Sequence, residues 1–419
     1  MKPISKYIFW ALIAGISCTV IKLYLSQQDM SVSGGDIESA WPWYFKVAFL
    51  GNVLVSLAAV ASFILYNKYF PKYVIACYLL LVLFVIISSA GTFSQTLSKP
   101  TFFYTSKGVG TFINIGILFF AADTKYFPKI LDYFYYACMF ILAASIISLG
   151  KVGFGATRKE FLTYIRDYTV FLMWVFPYFF LQEEENKKKN LINLGAALLL
   201  FVLVFSSGSR SYLILFILYA ISKFSRQLAT RNGVFAIIGL IIFCVGGYFI
   251  LLNSPLASTV ENAFGNLSER SGEDTRSGQI YEFLAQYDMD YLIQGVGPLK
   301  GWFWSNVNDY YNYLDNQFLL IAWWAGLPAI TAYVFLLVKS LFIKSEIQLY
   351  EKIKGIKLII FCWIAACLGF AIYCTLSSEP YYYFLSLIMG LNACQYTKII
   401  PEEEQLENAT AEESEHEFA

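Results

Sequence analysis

The chain is a succession of long apolar runs joined by short polar connections, with one long polar interruption in its second half. Runs of about 20 apolar residues, some of them shorter, suffice to cross a bilayer. They fall at roughly 7–25, 44–66, 73–92, 105–122, 128–149, 168–182, 190–206, 210–223, 233–252, 314–338, 358–376 and 381–397. The pattern predicts about twelve membrane helices. The first follows MKPISK without a small-residue cleavage site, so it is expected to be a retained span, with Lys22 snorkelling near its outer end.

The interruption, NSPLASTVENAFGNLSERSGEDTRSGQIYEFLAQYDMDYLIQGVGPLKGWFWSNVNDYYNYL, occupies 253–314. Connections of this length without a function are uncommon. It divides the chain into nine spans over 1–252, a large loop over 253–313, three spans over 314–398 and an acidic tail over 399–419. The seventh and eighth spans are separated only by SSGSRS and form a tight hairpin whose tip carries Arg210. The tail PEEEQLENATAEESEHEFA is expected to be solvated, with no apolar face to fold around.

Composition agrees with the pattern: the 419 residues are 58% hydrophobic, 19% aromatic and only 14% charged, against roughly 25% charged in soluble domains. Net charge is zero, so no global basic field recruits nucleic acid. With the N-terminus inside, 18 basic residues fall on inner connections and 11 on the outer ones, although the outer loops are longer. The positive-inside rule then places both termini in the cytoplasm and 253–313 outside. The eight cysteines all lie in apolar runs and read as buried small residues, while the one histidine, His416, is in the tail. That removes histidine-based zinc sites and Ser-His-Asp catalysis from consideration. There is no Gly-rich phosphate loop and no ATP-binding signature, so energy must come from a substrate or a gradient.

Candidate chemistry concentrates on the outer side. Arg210, among small hydroxyl residues at the hairpin tip, can aim a planar fork of donors at an anion such as phosphate; the other reading is an arginine that only fixes helix depth. Arg270 and Arg276 stand together in the loop. The run from Glu273 to Ser277 predicts a helix start with Asp274 or Thr275 as N-cap and Ile280, Phe283 and Leu284 on its apolar face. An arginine in a first turn opposes the helix dipole unless an anion sits there, or unless it pairs with Glu269, Glu273 or Asp274. Asp288-Met289-Asp290 matches a metal-holding Asp-x-Asp only weakly and reads more readily as a solvated face. Asp315-Asn316 opens the tenth span, as an N-cap or as a carboxylate placed to orient or deprotonate an attacking hydroxyl. Glu379, in the outer turn before the last span, is a weaker candidate of the same kind. Trp302, Trp304, Tyr310, Tyr311, Tyr313 and Tyr381 to Tyr383 are expected at the outer interface, most as belt anchors.

Taken together, the twelve spans, the hairpin GSRSYLILF at 208–216, the long loop with paired arginines and DNQFLLIAWWAG at 315–326 resemble the O-antigen polymerase and ligase superfamily. The resemblance implies an all-helical, GT-C-like membrane glycosyltransferase in the bacterial cytoplasmic membrane. Its implied substrate is an undecaprenyl-diphosphate-linked oligosaccharide, joined into O-antigen, capsule or exopolysaccharide at the outer face. A chain-length regulator and a flippase are implied partners, and no metal or nucleotide cofactor is. Carried over by motif, Arg210, Arg270 and Arg276 would engage the lipid diphosphate, and Arg158, Lys159 and Arg166 match the basic residues that polymerases place between the fifth and sixth spans. Ligases of the group are similar in having His-Asn, nine residues, then Gly at this place. Here Asp315-Asn316 to Gly326 keeps the spacing without the histidine, which favours a polymerase. The expected site is therefore Arg210, Arg276 and Asp315 for catalysis, with Arg270, Arg158, Arg166, Asn316 and Glu379 binding substrate. A ligase, or a flippase for the same lipid-linked oligosaccharide, is the alternative; a flippase should show related halves and charges lining its interior.

Overall fold

The computed structural model describes residues 2–28, 42–96, 109–152, 164–182, 186–206, 210–228, 275–287, 289–297, 301–305, 309–311, 314, 316–342, 355–368 and 379–395. These residues are almost entirely helical. In chain order they form α1 (Lys2–Gln28), α2 (Trp43–Tyr66), α3 (Lys72–Thr96), α4 (Val109–Asn114) running into a 3-10 stretch (Ile115–Ala122), α5 (Phe127–Val152), α6 (Arg166–Leu181), α7 (Lys187–Ser206) and α8 (Arg210–Leu228). The loop contributes α9 (Thr275–Gln286), α10 (Met289–Gln294) and a two-stranded antiparallel hairpin of β1 (Trp302–Trp304) and β2 (Asp309–Tyr311). Then come α11 (Gln317–Phe342), α12 (Ile356–Cys367) and α13 (Pro380–Ala393). The predicted span at 233–252 lies outside the described residues, as do 105–108 and 369–376 of two others; each of the remaining predicted spans overlaps a described helix. Among the described residues, six helices are long and apolar enough to cross a membrane, and Val109–Ala122, Ser211–Lys223 and Ile356–Cys367 are shorter apolar segments. The chain is an all-α, multi-pass membrane protein by this measure.

The helices sort by what their side chains meet. On α2 the exposed aliphatics Leu50, Leu57 and Ile64 recur every seven positions, whereas Gly51, Asn52, Val55, Ala58, Ala59 and Ser62 are buried. An exposed aliphatic stripe is costly in water and suits acyl chains, while small and polar residues let neighbouring backbones approach. One such close approach joins α1 and α2: a Cβ on Gly15 would lie 2.7 Å from Gly51 O, and one on Gly51 would lie 2.7 Å from Gly15 O. At the centre stand the 3-10 stretch and α13, both buried at every position, and α6, buried from Tyr168 to Leu181. Gly390 of α13 packs so tightly on the Leu118 carbonyl that a side chain there has no room.

Two polar ties, at opposite ends of α1, bracket the apolar region. At one end the Asp123 carboxylate accepts from Ser5 and from Tyr66 (2.6 Å), and from the backbone N–H of Tyr126 (2.8 Å) at the start of α5. At the other end Lys22 Nζ meets Glu379 Oε1 at 2.7 Å. The stretch from Ser5 to Lys22 rises about 25 Å at roughly 1.5 Å per residue, close to the roughly 30 Å of a hydrocarbon core. The two ties thus stand about one hydrocarbon thickness apart along α1.

Candidate functional site

The end of the bundle marked by Lys22 gathers several of the charged groups that the sequence singles out. Lys22 of α1 pairs with Glu379, which precedes α13, and lies 5.5 Å above the Phe45 ring of α2. Both members of the pair are only 19% exposed. Further along α1, Gln27 Nε2 donates to Asp167 Oδ2 (3.2 Å), whose other oxygen accepts from Arg166 Nε at 3.0 Å. Tyr168 donates to the Tyr24 carbonyl (2.8 Å) and fixes the start of α6 against α1. Arg166, Lys22 and Glu379 are legible in the sequence as charges at this end. Asp167 and Gln27 escape that reading, although an acid beside an arginine at the first turn of an apolar helix is the signal that marks the first of them.

Arg210 comes to the same end by helix direction. Lys223, in the second half of α8, donates to the Gln182 carbonyl (2.5 Å) and lies 5.9 Å from the Phe180 ring, so the C-terminal ends of α6 and α8 meet. The two helices pack against each other. They therefore run parallel, and their first residues, Arg166 and Arg210, stand at one membrane face.

The loop is joined to this end through a break in α11. Gly326 adopts φ 83° and ψ 171°, a conformation open to glycine, and Pro328 follows within the helix. A regular helix would have the Trp323 carbonyl accept from Leu327 and that of Trp324 from residue 328, but the break removes the first donor and proline lacks the second. Both carbonyls are instead met from the loop. Val296 N donates to Trp323 O at 2.8 Å and Gly297 N to Trp324 O at 2.9 Å. Such contact demands backbone against backbone: Gly295 and Gly297 have φ of 78° and 89°, and a Cβ on Gly326 would lie 2.5 Å from Ile293 O. The apolar run at 314–338 predicts one continuous helix, and this break corrects that expectation.

Above the break the loop has a core of its own. Phe283 of α9, fully buried, makes edge contacts with Trp302 at 5.6 Å and Trp323 at 5.2 Å, and Tyr287 packs beside them. Gln286 pairs with both backbone groups of Phe303, and Glu282 Oε1 accepts from Ser305 N at 2.8 Å. Burial pushes the Tyr287 hydroxyl above its ordinary range, and it donates to the Gly301 carbonyl at 3.1 Å. The helix start predicted with Asp274 or Thr275 as N-cap falls where α9 begins, at Thr275, which sets Arg276 in its first turn. Asn316 is an N-cap: its Oδ1 accepts from Leu319 N at 3.0 Å, and its amide donates to Leu368 O at 3.4 Å. Its side chain is thus engaged within the protein.

Arg158, Lys159, Arg270 and Asp315, like Asp288, lie outside the described residues, and Asp290 is exposed. Of the aromatics expected at the interface, Tyr310 is exposed, but Trp302 and Tyr381 to Tyr383 are buried in protein. Tyr382 and Tyr333 share a hydrogen bond of 2.8 Å, and Tyr383 donates to Asn52 Oδ1. Their hydroxyls serve helix packing, which a count of aromatics near a span end does not distinguish from a belt. No protein-family model matches the chain, and neither a curated protein nor a solved structure does.

Proposed function

We propose that the protein is a polysaccharide polymerase that joins undecaprenyl-diphosphate-linked repeat units at the outer face of the bacterial cytoplasmic membrane. The observation that carries this reading is the parallel course of α6 and α8, which sets Arg166 and Arg210 at one membrane end together with the Lys22–Glu379 pair. In the proposed reaction a hydroxyl of one repeat attacks the anomeric carbon of another, the glycosidic bond forms, and the carbon–oxygen bond to the diphosphate breaks. The hydroxyl proton passes to a base, for which Asp315 is the candidate. Undecaprenyl diphosphate leaves with added negative charge, and fixed arginines stabilise that charge as it develops. Arg210 and Arg276 hold the leaving group in this scheme, with Arg166, Arg158 and Arg270 recruiting lipid-linked anions. Asn316 positions the start of α11 instead of touching sugar.

The lysines Lys68, Lys72, Lys125, Lys129 and Lys187 to Lys189 all belong to the Asp123 end, which supports placing that end in the cytoplasm. Glycan length on a gel tests the reading. Arg210→Ala should abolish long chains while single repeats still reach the outer face, a barrier increase of about 3 kcal/mol for one lost charge-stabilising donor. Repeats trapped on the cytoplasmic leaflet would favour a flippase, and unchanged long chains would remove Arg210 from the site.

A further inference from the structure

The break in α11 also locates the loop relative to the bilayer. α11 and α13 run parallel and are tied by Asn392 to the Ser340 carbonyl and by Tyr382 to Tyr333. Gly326 precedes Ser340 by 14 residues and Glu379 precedes Asn392 by 13, so both stand roughly 20 Å from that tie at about 1.5 Å per residue. Gly326 is therefore level, within about a turn, with the Lys22–Glu379 pair. Below it, Leu327 to Phe342 continue as a lipid-facing span, with Leu327, Phe335, Val338 and Phe342 exposed. The backbone contact at Gly326 brings the Ile293 carbonyl of α10 against the residue that precedes Leu327. Ile293 is itself 50% exposed and Leu327 54%.

We infer that α10 is seated in the interfacial layer of the outer leaflet, with Ile293 and Leu327 forming one continuous surface against the acyl chains. The surface follows from covalent and hydrogen-bonded continuity. Leu327 belongs to a membrane span, its side chain faces away from the protein, and the α10 residue at the glycine contact is a second exposed aliphatic. Asp290 and Gln294 on the exposed side of α10 suit a headgroup layer, where a polar and an apolar flank are both solvated. The loop is thus anchored on lipid at the boundary as well as on α11. This inference requires only that the chain spans a membrane with the loop on its outer side, not that it polymerises glycans.

The test uses the full chain with its native cysteines replaced, reconstituted in vesicles of phosphatidylethanolamine and phosphatidylglycerol. Single cysteines at Ile293, Leu327 and Leu57 carry a bimane fluorophore. Leu57, exposed in the middle of α2, is the lipid reference, and free bimane is the aqueous one. The expected result is that the Ile293 and Leu327 probes are quenched by shallow spin-labelled lipids, and that iodide quenches them several-fold less than the free dye. An Ile293 probe that iodide quenches as readily as the free dye, while Leu327 remains lipid-quenched, overturns the inference. So does any result in which both probes behave as aqueous. Retained glycan polymerisation in a variant with a water-exposed Ile293 probe would sink this inference and leave the proposed function standing.

Discussion

Lys22 shows how a single charge acquires meaning from its partner. From the chain alone it is a lysine that reaches for the interface; in the fold its amine is held 2.7 Å from Glu379, 357 positions away. Sequence separation of that size hides a pair, because nothing local announces which of several acids will face it. The same holds for Gln27 and Asp167, joined across 140 positions. By contrast a cap at Asp315-Asn316 is legible, since capping depends on the three residues that follow it, although Asn316, expected to bind substrate, is the residue that makes it. Removing one member of a partly buried pair leaves the other uncompensated. Lys22→Met or Glu379→Gln alone should each lower stability by about 1–2 kcal/mol, part of the solvent-screened cost of an unpaired charge. The double variant should lose less than the sum. Thermal unfolding in detergent, arranged as a double-mutant cycle, measures the coupling, and strict additivity would show that the pair contributes nothing.

At the scale of the element, α11 is where pattern and fold part company. The run QFLLIAWWAGLPAITAYVFLLV is almost uniformly apolar, and hydropathy has no term for a backbone turned at Gly326 or for the donor that Pro328 lacks. Only the partner makes the break intelligible, and the partner is a Gly-Val-Gly turn about 30 residues upstream. The hairpin also escapes the pattern: its strands are three residues each, too short for alternation to register. The 3-10 course of Ile115–Ala122 is likewise invisible in a run apolar throughout. The α9 start is legible, because Thr275 and the spacing of Ile280 and Phe283 are local signals. Gly326→Ala should be the more damaging change in α11, by about 2–4 kcal/mol, combining an unfavourable backbone region with a collision against Ile293 O. Pro328→Ala should cost less than about 1 kcal/mol, since it restores an N–H without adding bulk. Limited proteolysis followed by thermal unfolding separates the two: in the glycine variant the loop should be cut before the bundle melts. Equal sensitivity of both variants would mean that the turn does not hold the loop.

Across the whole molecule, the sequence is informative about class and alternation and silent about assembly. Apolar runs locate the described helices outside the loop, because crossing a hydrocarbon core demands a long apolar stretch. Which helices become neighbours is decided by side-chain packing among runs of nearly identical composition, so the central place of α6 and α13 is not written in any one run. Arg166 and Arg210 are each visible as basic residues on an expected outer side. Their common end follows only from the contact between Lys223 and the last turn of α6. That contact turns two separate motifs into one face, and the function proposed above is a statement about that face. The most direct measurement places the purified chain in vesicles with a purified undecaprenyl-diphosphate-linked repeat unit and no nucleotide. The account predicts a ladder of longer glycans with one undecaprenyl diphosphate released for each new linkage. Repeat units that cross the bilayer without any bond being formed would contradict it.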